Sequence, residues 1–218
     1  MNISYQKGTL KSSRTEALVV FAAEGTAALN ASLAPLRKAF GNRLARILAL
    51  EDFSGKTGTI CTFLSEGKLP AARIYLAGVG SPDQLTAERF RRAASLAASG
   101  AQAKKLGSVT FLLPGEFHGR SDPMTPAQVA KALAEGAILG TYRYDRYITE
   151  NSKKKRSLAR VRIIGDSDRD MPAIRKALRE TVMICEAVKL ARDLENAPPN
   201  EIYPETLADA ARRSGAKY

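Results

Sequence analysis

Seven apolar residues stand without a break from Ala17 to Ala23, inside the segment ALVVFAAE that closes at Glu24. The run is short, contains β-branched residues and is bounded by turn formers, so it predicts a strand buried on both faces. A strand with no wet side needs structure packed above and below it, and the rest of the chain supplies that structure in alternation. Apolar residues at helical spacing over Leu29–Phe40 and Arg43–Leu50, interrupted by Pro35 and Gly41, predict two short helices. Thr57–Glu66 and Arg73–Gly80 are strand-like, and the Gly-Lys-Leu-Pro turn between them predicts an antiparallel pair.

Beyond Pro82, Phe90, Ala93, Ala94, Ala97, Ala98 and Ala101 fall on one helical face. Ser108–Gly115 reads as the next strand. Thr125-Pro126-Ala127-Gln128 is a capping box with proline at the first helical position, predicting a helix from Pro126 to Tyr144. Gly136 and Gly140 lie one turn apart in it, which predicts close backbone packing against a strand. A strand over ARVRIIGDS and a long helix from Met171 to about Asn196 complete the alternation. Strands alternating with helices predict an α/β fold with helices on both faces of a mixed sheet.

The last long helix carries two apolar stripes. Ile174, Leu178, Val182, Cys185 and Val188 form one, and Ile184, Ala187, Ala191 and Leu194 form the other. A helix apolar on two sides bridges two packed bodies. Pro198-Pro199 ends it, Pro204 opens another helix in PETLADAARRSG, and the chain is expected to stop inside a following domain.

Composition narrows the partners. A chain of 218 residues buries roughly 70% of its unfolded surface and needs no metal or disulfide to hold a core. Cys61 and Cys185 each sit in apolar sequence and read as buried thiols in a reducing compartment. No run approaches the roughly 20 residues of a membrane span, and Met1–Lys7 lacks an apolar leader core, so a cytoplasmic protein without membrane contact is expected. Lys and Arg number 34 against 22 Asp and Glu, a net charge of +12. Eight basic residues fall between Arg143 and Arg162, and Arg146, Lys153, Lys154, Lys155 and Arg156 form a candidate anion or nucleic-acid patch beside the simpler reading of a solvated loop.

Isolated chemical motifs fall short. Gly55-Lys56-Thr57 resembles the tail of a phosphate loop, but Leu50 stands where the first glycine belongs and a strand follows. Ala77-Gly78-Val79-Gly80 lacks the third glycine of a dinucleotide loop, Asp83 occupying its place. Asp166, Asp168 and Asp170 have calcium-loop spacing, yet Met171 and Ala177 replace the required glycine and glutamate, so they read as caps of the long helix. His118 is the only histidine, and Pro123 spoils the nucleophile-elbow pattern at Gly119–Pro123. These residues assemble no nucleophile, base and oxyanion donor.

Two longer stretches do carry information. LARDLENAPPNEIYPETLADAAR (Leu190–Arg212) and AEGAILGTYRYDRYITENSKKK (Ala134–Lys155) resemble segments of the leucine aminopeptidase (cytosol aminopeptidase) family, and the element order from Ala17 to Ser167 is similar to its N-terminal domain. The resemblance implies a three-layer α/β/α, macro-domain-like domain over residues 1–170, a linking helix over 171–197, and the start of a catalytic peptidase domain over 198–218. It also implies a parent enzyme that removes N-terminal amino acids with two divalent metal ions, zinc or manganese, as a hexamer. The family's Asn-Thr-Asp-Ala-Glu-Gly-Arg motif is absent, so no catalytic or metal residue transfers to this chain, and no cofactor is expected in it. Asn196, Pro198, Pro199 and Asn200 match the inter-domain motif, which implies a structural role facing a catalytic domain of the same polypeptide. Two alternatives stand beside this: an ADP-ribose module using the loops at Gly78–Ser81 and Pro114–Gly119, and a nucleic-acid-binding module using the basic patch.

Overall fold

The computed structural model of the chain describes residues 1–114, 124–148, 157–166 and 168–215. Six strands, β1 (Asn2–Lys7), β2 (Ala17–Ala23), β3 (Ile60–Leu64), β4 (Arg73–Gly80), β5 (Ser108–Leu112) and β6 (Arg160–Gly165), form one sheet in the order β1-β6-β5-β2-β4-β3. All neighbours are parallel except β3, which runs antiparallel on β4 as the turn between them predicts. β2 lies between β5 and β4, and all seven of its residues are buried.

The helices are α1 (Thr26–Ser32), α2 (Ala34–Phe40), α3 (Asn42–Leu50), α4 (Ala87–Ala103), α5 (Pro126–Gly140), α6 (Met171–Asn196) and α7 (Pro204–Gly215). Where the pattern predicts two helices before β3 there are three, because the chain breaks at Leu33 and restarts with Pro35 in the first turn of α2. β1 has no counterpart among the predicted elements. Of its six residues only Tyr5 is buried, so the strand has almost no apolar signature and owes its place to pairing with β6.

One face of the sheet is covered throughout. Val19, Phe21, Val109, Phe111, Val161 and Ile163 meet the alanine stripe of α4 and the inner sides of α5 and α6. Phe21 sits edge-on to Phe90 of α4 and to Phe111 of β5, with ring centroids 6.0 and 5.8 Å apart. Gly136 and Gly140 do pack closely, but on helix α4 rather than on a strand. A β-carbon at Gly136 would strike the Arg91 carbonyl, and one at Gly140 would strike Ser95. Thr125 and Gln128 form the expected reciprocal capping box at the start of α5.

The opposite face is covered only in part. Leu33, Leu36, Phe40, Leu44 and Leu48 of α1–α3 and their junctions bury Leu18, Val20, Ile74, Leu76 and Cys61 over β2, β4 and β3. The architecture is therefore α/β/α, with one complete outer layer and one that stops at the middle of the sheet.

Candidate interdomain interface

α5 ends at Gly140, four residues before the predicted Tyr144. The Thr141 hydroxyl donates to the Ala137 carbonyl at 2.7 Å, and the chain then turns toward α6. The Tyr142 hydroxyl donates to Asp193 Oδ1 at 2.7 Å. The Arg192 guanidinium lies 5.4 Å from the Tyr142 ring centroid and donates to the Leu139 carbonyl at 3.4 Å. Arg146 Nη1 meets Glu201 Oε2 at 2.6 Å while its guanidinium lies 6.0 Å from the Tyr147 ring centroid. Desolvation first, and then hydrogen bonding with Glu201 and Tyr144, hold the Tyr147 phenol well above its ordinary pKa. An aromatic and basic hexapeptide thus grips both the end of α6 and the segment after it.

That segment is ordered by its own bonds. Asn196 Nδ2 donates to the Arg192 carbonyl at 2.6 Å, closing α6. The Pro198 carbonyl accepts from the Glu201 and Ile202 amides, at 2.9 and 3.1 Å, turning the chain. The Thr206 hydroxyl donates to the Glu201 carbonyl and accepts from the Tyr203 amide, which seats α7. Pro199 and Asn200 lie exposed at the turn. Between Tyr142–Ile148 and the chain leading into β6 lies a cleft of about 540 Å³, into which Met1, Gln102 and Lys189 also project.

The two stripes of α6 part company here. Ile174, Leu178 and Cys185 are buried on the α5 side, whereas Met183 and Ile184 are about half exposed, at 50% and 48%, and Ala187, Leu190 and Ala191 are exposed with them. On α7, Leu207 faces outward as well. An apolar side of the helix is thus exposed beside the turn at Asn196–Asn200.

Other sequence candidates resolve differently. Gly78 and Gly80 do not open a phosphate cradle. Their amides donate to the Thr59 and Gly55 carbonyls, both at 2.9 Å, and the 55–59 turn occupies the space beside them. Asp168 pairs with Lys7 of β1, and Asp170, at the N-cap of α6, gives no capping hydrogen bond from its side chain. Asp170 thus takes the N-cap position that the aspartate spacing predicts but not the capping bond, and the first turn of α6 is entered through backbone bonds from Met171 and Ile174. Among the described residues no group of three His, Cys, Asp or Glu side chains is placed to hold a metal ion. Burial pushes the Cys61 and Cys185 thiols up to about 11. His118, Gly115–Gly119, Ser121–Pro123, Lys153, Lys154, Lys155 and Arg156 lie outside the described residues. No helix of the described residues is long and apolar enough to cross a membrane.

Sequence reasoning missed the partners that make the grip, Asp193, Arg192 and Glu201. The stretch Leu190–Arg212 contains them and Ala134–Lys155 contains Tyr142–Tyr147, yet no spacing rule joins residues 142–147 to 192–201, and only the fold brings them together.

Residues 18–151 match the profile of the cytosol aminopeptidase family, N-terminal domain. The chain belongs to this family, as its N-terminal domain. Over 190 residues it is 33% identical to a probable cytosol aminopeptidase of Geotalea uraniireducens, covering 84% of this chain and 36% of that protein. The bottromycin maturation enzyme BotP, solved in complex with Mn, is 26% identical with a TM-score of 0.63, covering 91% of this chain and 36% of that one. A mutant tomato leucine aminopeptidase shares the fold at a TM-score of 0.82 and 24% identity, over the whole of this chain and 42% of its own. A macrodomain mutant from Oceanobacillus iheyensis shares it at 0.56 and 16%, over 84% of this chain and 92% of its own. This cytosol aminopeptidase N-terminal domain is thus macrodomain-like in architecture, and the chain spans well under half the length of these aminopeptidase relatives.

Proposed function

We propose that this chain is the non-catalytic N-terminal part of a leucyl aminopeptidase-like metalloenzyme, with residues 1–170 as a packing domain, 171–197 as a linking helix and 198–218 as the entry to a catalytic domain. The observation that carries the reading is the divided α6, one side buried in this domain and the other apolar and open beside the turn at Asn196–Asn200. The catalytic domain of the same polypeptide covers that open side, and Arg146–Glu201 sets the direction in which the chain enters it. The complete protein removes N-terminal amino acids from peptides, assembles as a homo-hexamer and works in the cytoplasm.

The divalent ions of that chemistry, zinc or manganese, do not fit the residues described here. The carboxylates are dispersed, Asp168 and Glu201 are already paired with cations, and the thiols are buried and protonated. No step of peptide hydrolysis runs through this domain, and its contribution is shape and attachment.

The test is activity against position. A polypeptide that continues past residue 218 through a catalytic domain releases leucine from a dipeptide in a metal-dependent way, and the 218-residue chain alone does not. Metal-dependent release by the chain alone would overturn the reading.

A further inference from the structure

The incompletely covered face of the sheet changes character at its middle. Beneath α1–α3 it presents Leu18, Val20, Ile74 and Leu76. Over the first residues of β1, β6 and β5 the same face is polar, and it turns apolar again only at Leu112 and Ile164. Strand register sets Asn2, Arg160 and Ser108 in one row and Ser4, Arg162 and Thr110 in the next. Neighbouring strands lie about 4.8 Å apart, so each arginine stem is flanked on both sides by an amide or a hydroxyl. Residues two apart on a strand share a face, about 6.6 Å from one another, so Arg160 and Arg162 rise side by side. Arg14 and Thr15, from the connection between β1 and β2, complete a depression of about 160 Å³ over these rows.

What marks the depression is three arginines in a lining that holds no carboxylate. Arg43, Arg91, Arg92, Arg146 and Arg212 each hold a carboxylate, but among the described residues Arg14, Arg160 and Arg162 form no ion pair. The adjoining acid, Glu16, accepts from the Gly107 amide at 3.0 Å and from the Ser108 hydroxyl at 3.4 Å. Three guanidiniums, each a planar fork of donors, therefore line the depression together with the hydroxyls of Ser4 and of Thr110, the latter buried at its base.

We propose that this depression binds a phosphate group, either free or as the monoester of a small metabolite. A tetrahedral dianion matches three cations and several hydroxyl donors better than a flat monovalent carboxylate does, because its oxygens can accept from every side. The volume suits a phosphate head and is below the roughly 300 Å³ from which enclosing ligand pockets begin, so the rest of an esterified ligand lies outside it. The site is on the face of the sheet, away from the strand ends where the Gly78–Gly80 turn is filled by residues 55–59.

The experiment is calorimetric titration of the complete polypeptide with inorganic phosphate, with glucose 6-phosphate and with a short DNA duplex, chloride being adjusted to constant ionic strength. Expected is saturable phosphate binding that glucose 6-phosphate competes for, weakened about tenfold or more by Arg162→Gln and lost in the Arg160→Gln, Arg162→Gln double variant. Arg14→Gln, an exposed loop change that leaves the sheet untouched, weakens it several-fold and guards against loss of fold in the sheet variants. Phosphate held anywhere else on the polypeptide does not respond to these changes. Absence of binding at tens of millimolar, binding indifferent to all three arginines, or duplex binding that phosphate does not displace would each overturn the proposal.

Discussion

Along α6, Ile174, Leu178 and Cys185 are buried against the domain, while Met183, Ile184 and Leu190 of the same helix face outward. The two sides are similar in composition. The inner side meets α5 and β1, where each methylene displaced from water has fixed partners, and the outer side stays about half exposed. Hydrophobicity alone thus says that a side chain is destined for contact. Only the fold says whether that contact stabilises this domain or joins it to something else.

Substitution should separate the two sides. Leu178→Ala removes buried packing and is expected to cost about 2–5 kcal/mol, read as a lower urea midpoint with unchanged slope. A thiol comparison is next in size. With Cys185 pushed up from about 9 to about 11, its thiolate at pH 8 is about a hundredfold scarcer than that of an exposed cysteine. A cysteine introduced by Ile184→Cys should therefore react with a thiol reagent on mixing, while native Cys185 stays silent until the pH nears 11. The sign for stability follows: burial raises the folded-state value, so the contribution is complete below about pH 9 and lost as the pH climbs through about 11.

Gly136→Ala drives a methyl group into the Arg91 carbonyl and is expected to cost about 1–3 kcal/mol, with the loss appearing as a lowered melting temperature. The smallest effect is on the outer side. Ile184→Ser should leave the stability of this chain within about 0.5 kcal/mol, read as an unchanged urea midpoint. If Ile184→Ser destabilises the chain as much as Leu178→Ala does, the division of the helix is wrong.

Periodicity carried the reading where packing follows one rule. The alanine stripe of α4, the capping box of α5 and both stripes of α6 were visible because a helix repeats its contacts every turn. β1 was not, since an edge strand with one buried residue has no pattern of its own. The partner of Gly136 was misassigned for a related reason: glycine spacing announces a close approach without naming what approaches. The grip of Tyr142–Tyr147 on residues 192–201 was not legible, although each stretch resembles a segment of the family, because hydrogen bonds and ion pairs across such a separation have no local spacing. The arginine depression on the sheet face stayed hidden too, since it exists only once β1, β6 and β5 lie in register.

The strand order also sets a timetable for folding. β2, β3 and β4, with α1–α3 between them, come from one continuous stretch and can pair as soon as it is available. β1 precedes them in the chain but pairs only with β6, so Tyr5 must wait for Ile163. Until β6 is made and docked, β1 is a loose ribbon and β5 an unprotected edge, an interval in which neighbouring chains on a polysome can pair with the wrong partner. The polar character of β1, with Asn2, Ser4, Gln6 and Lys7, keeps that waiting strand from sticking to its neighbours.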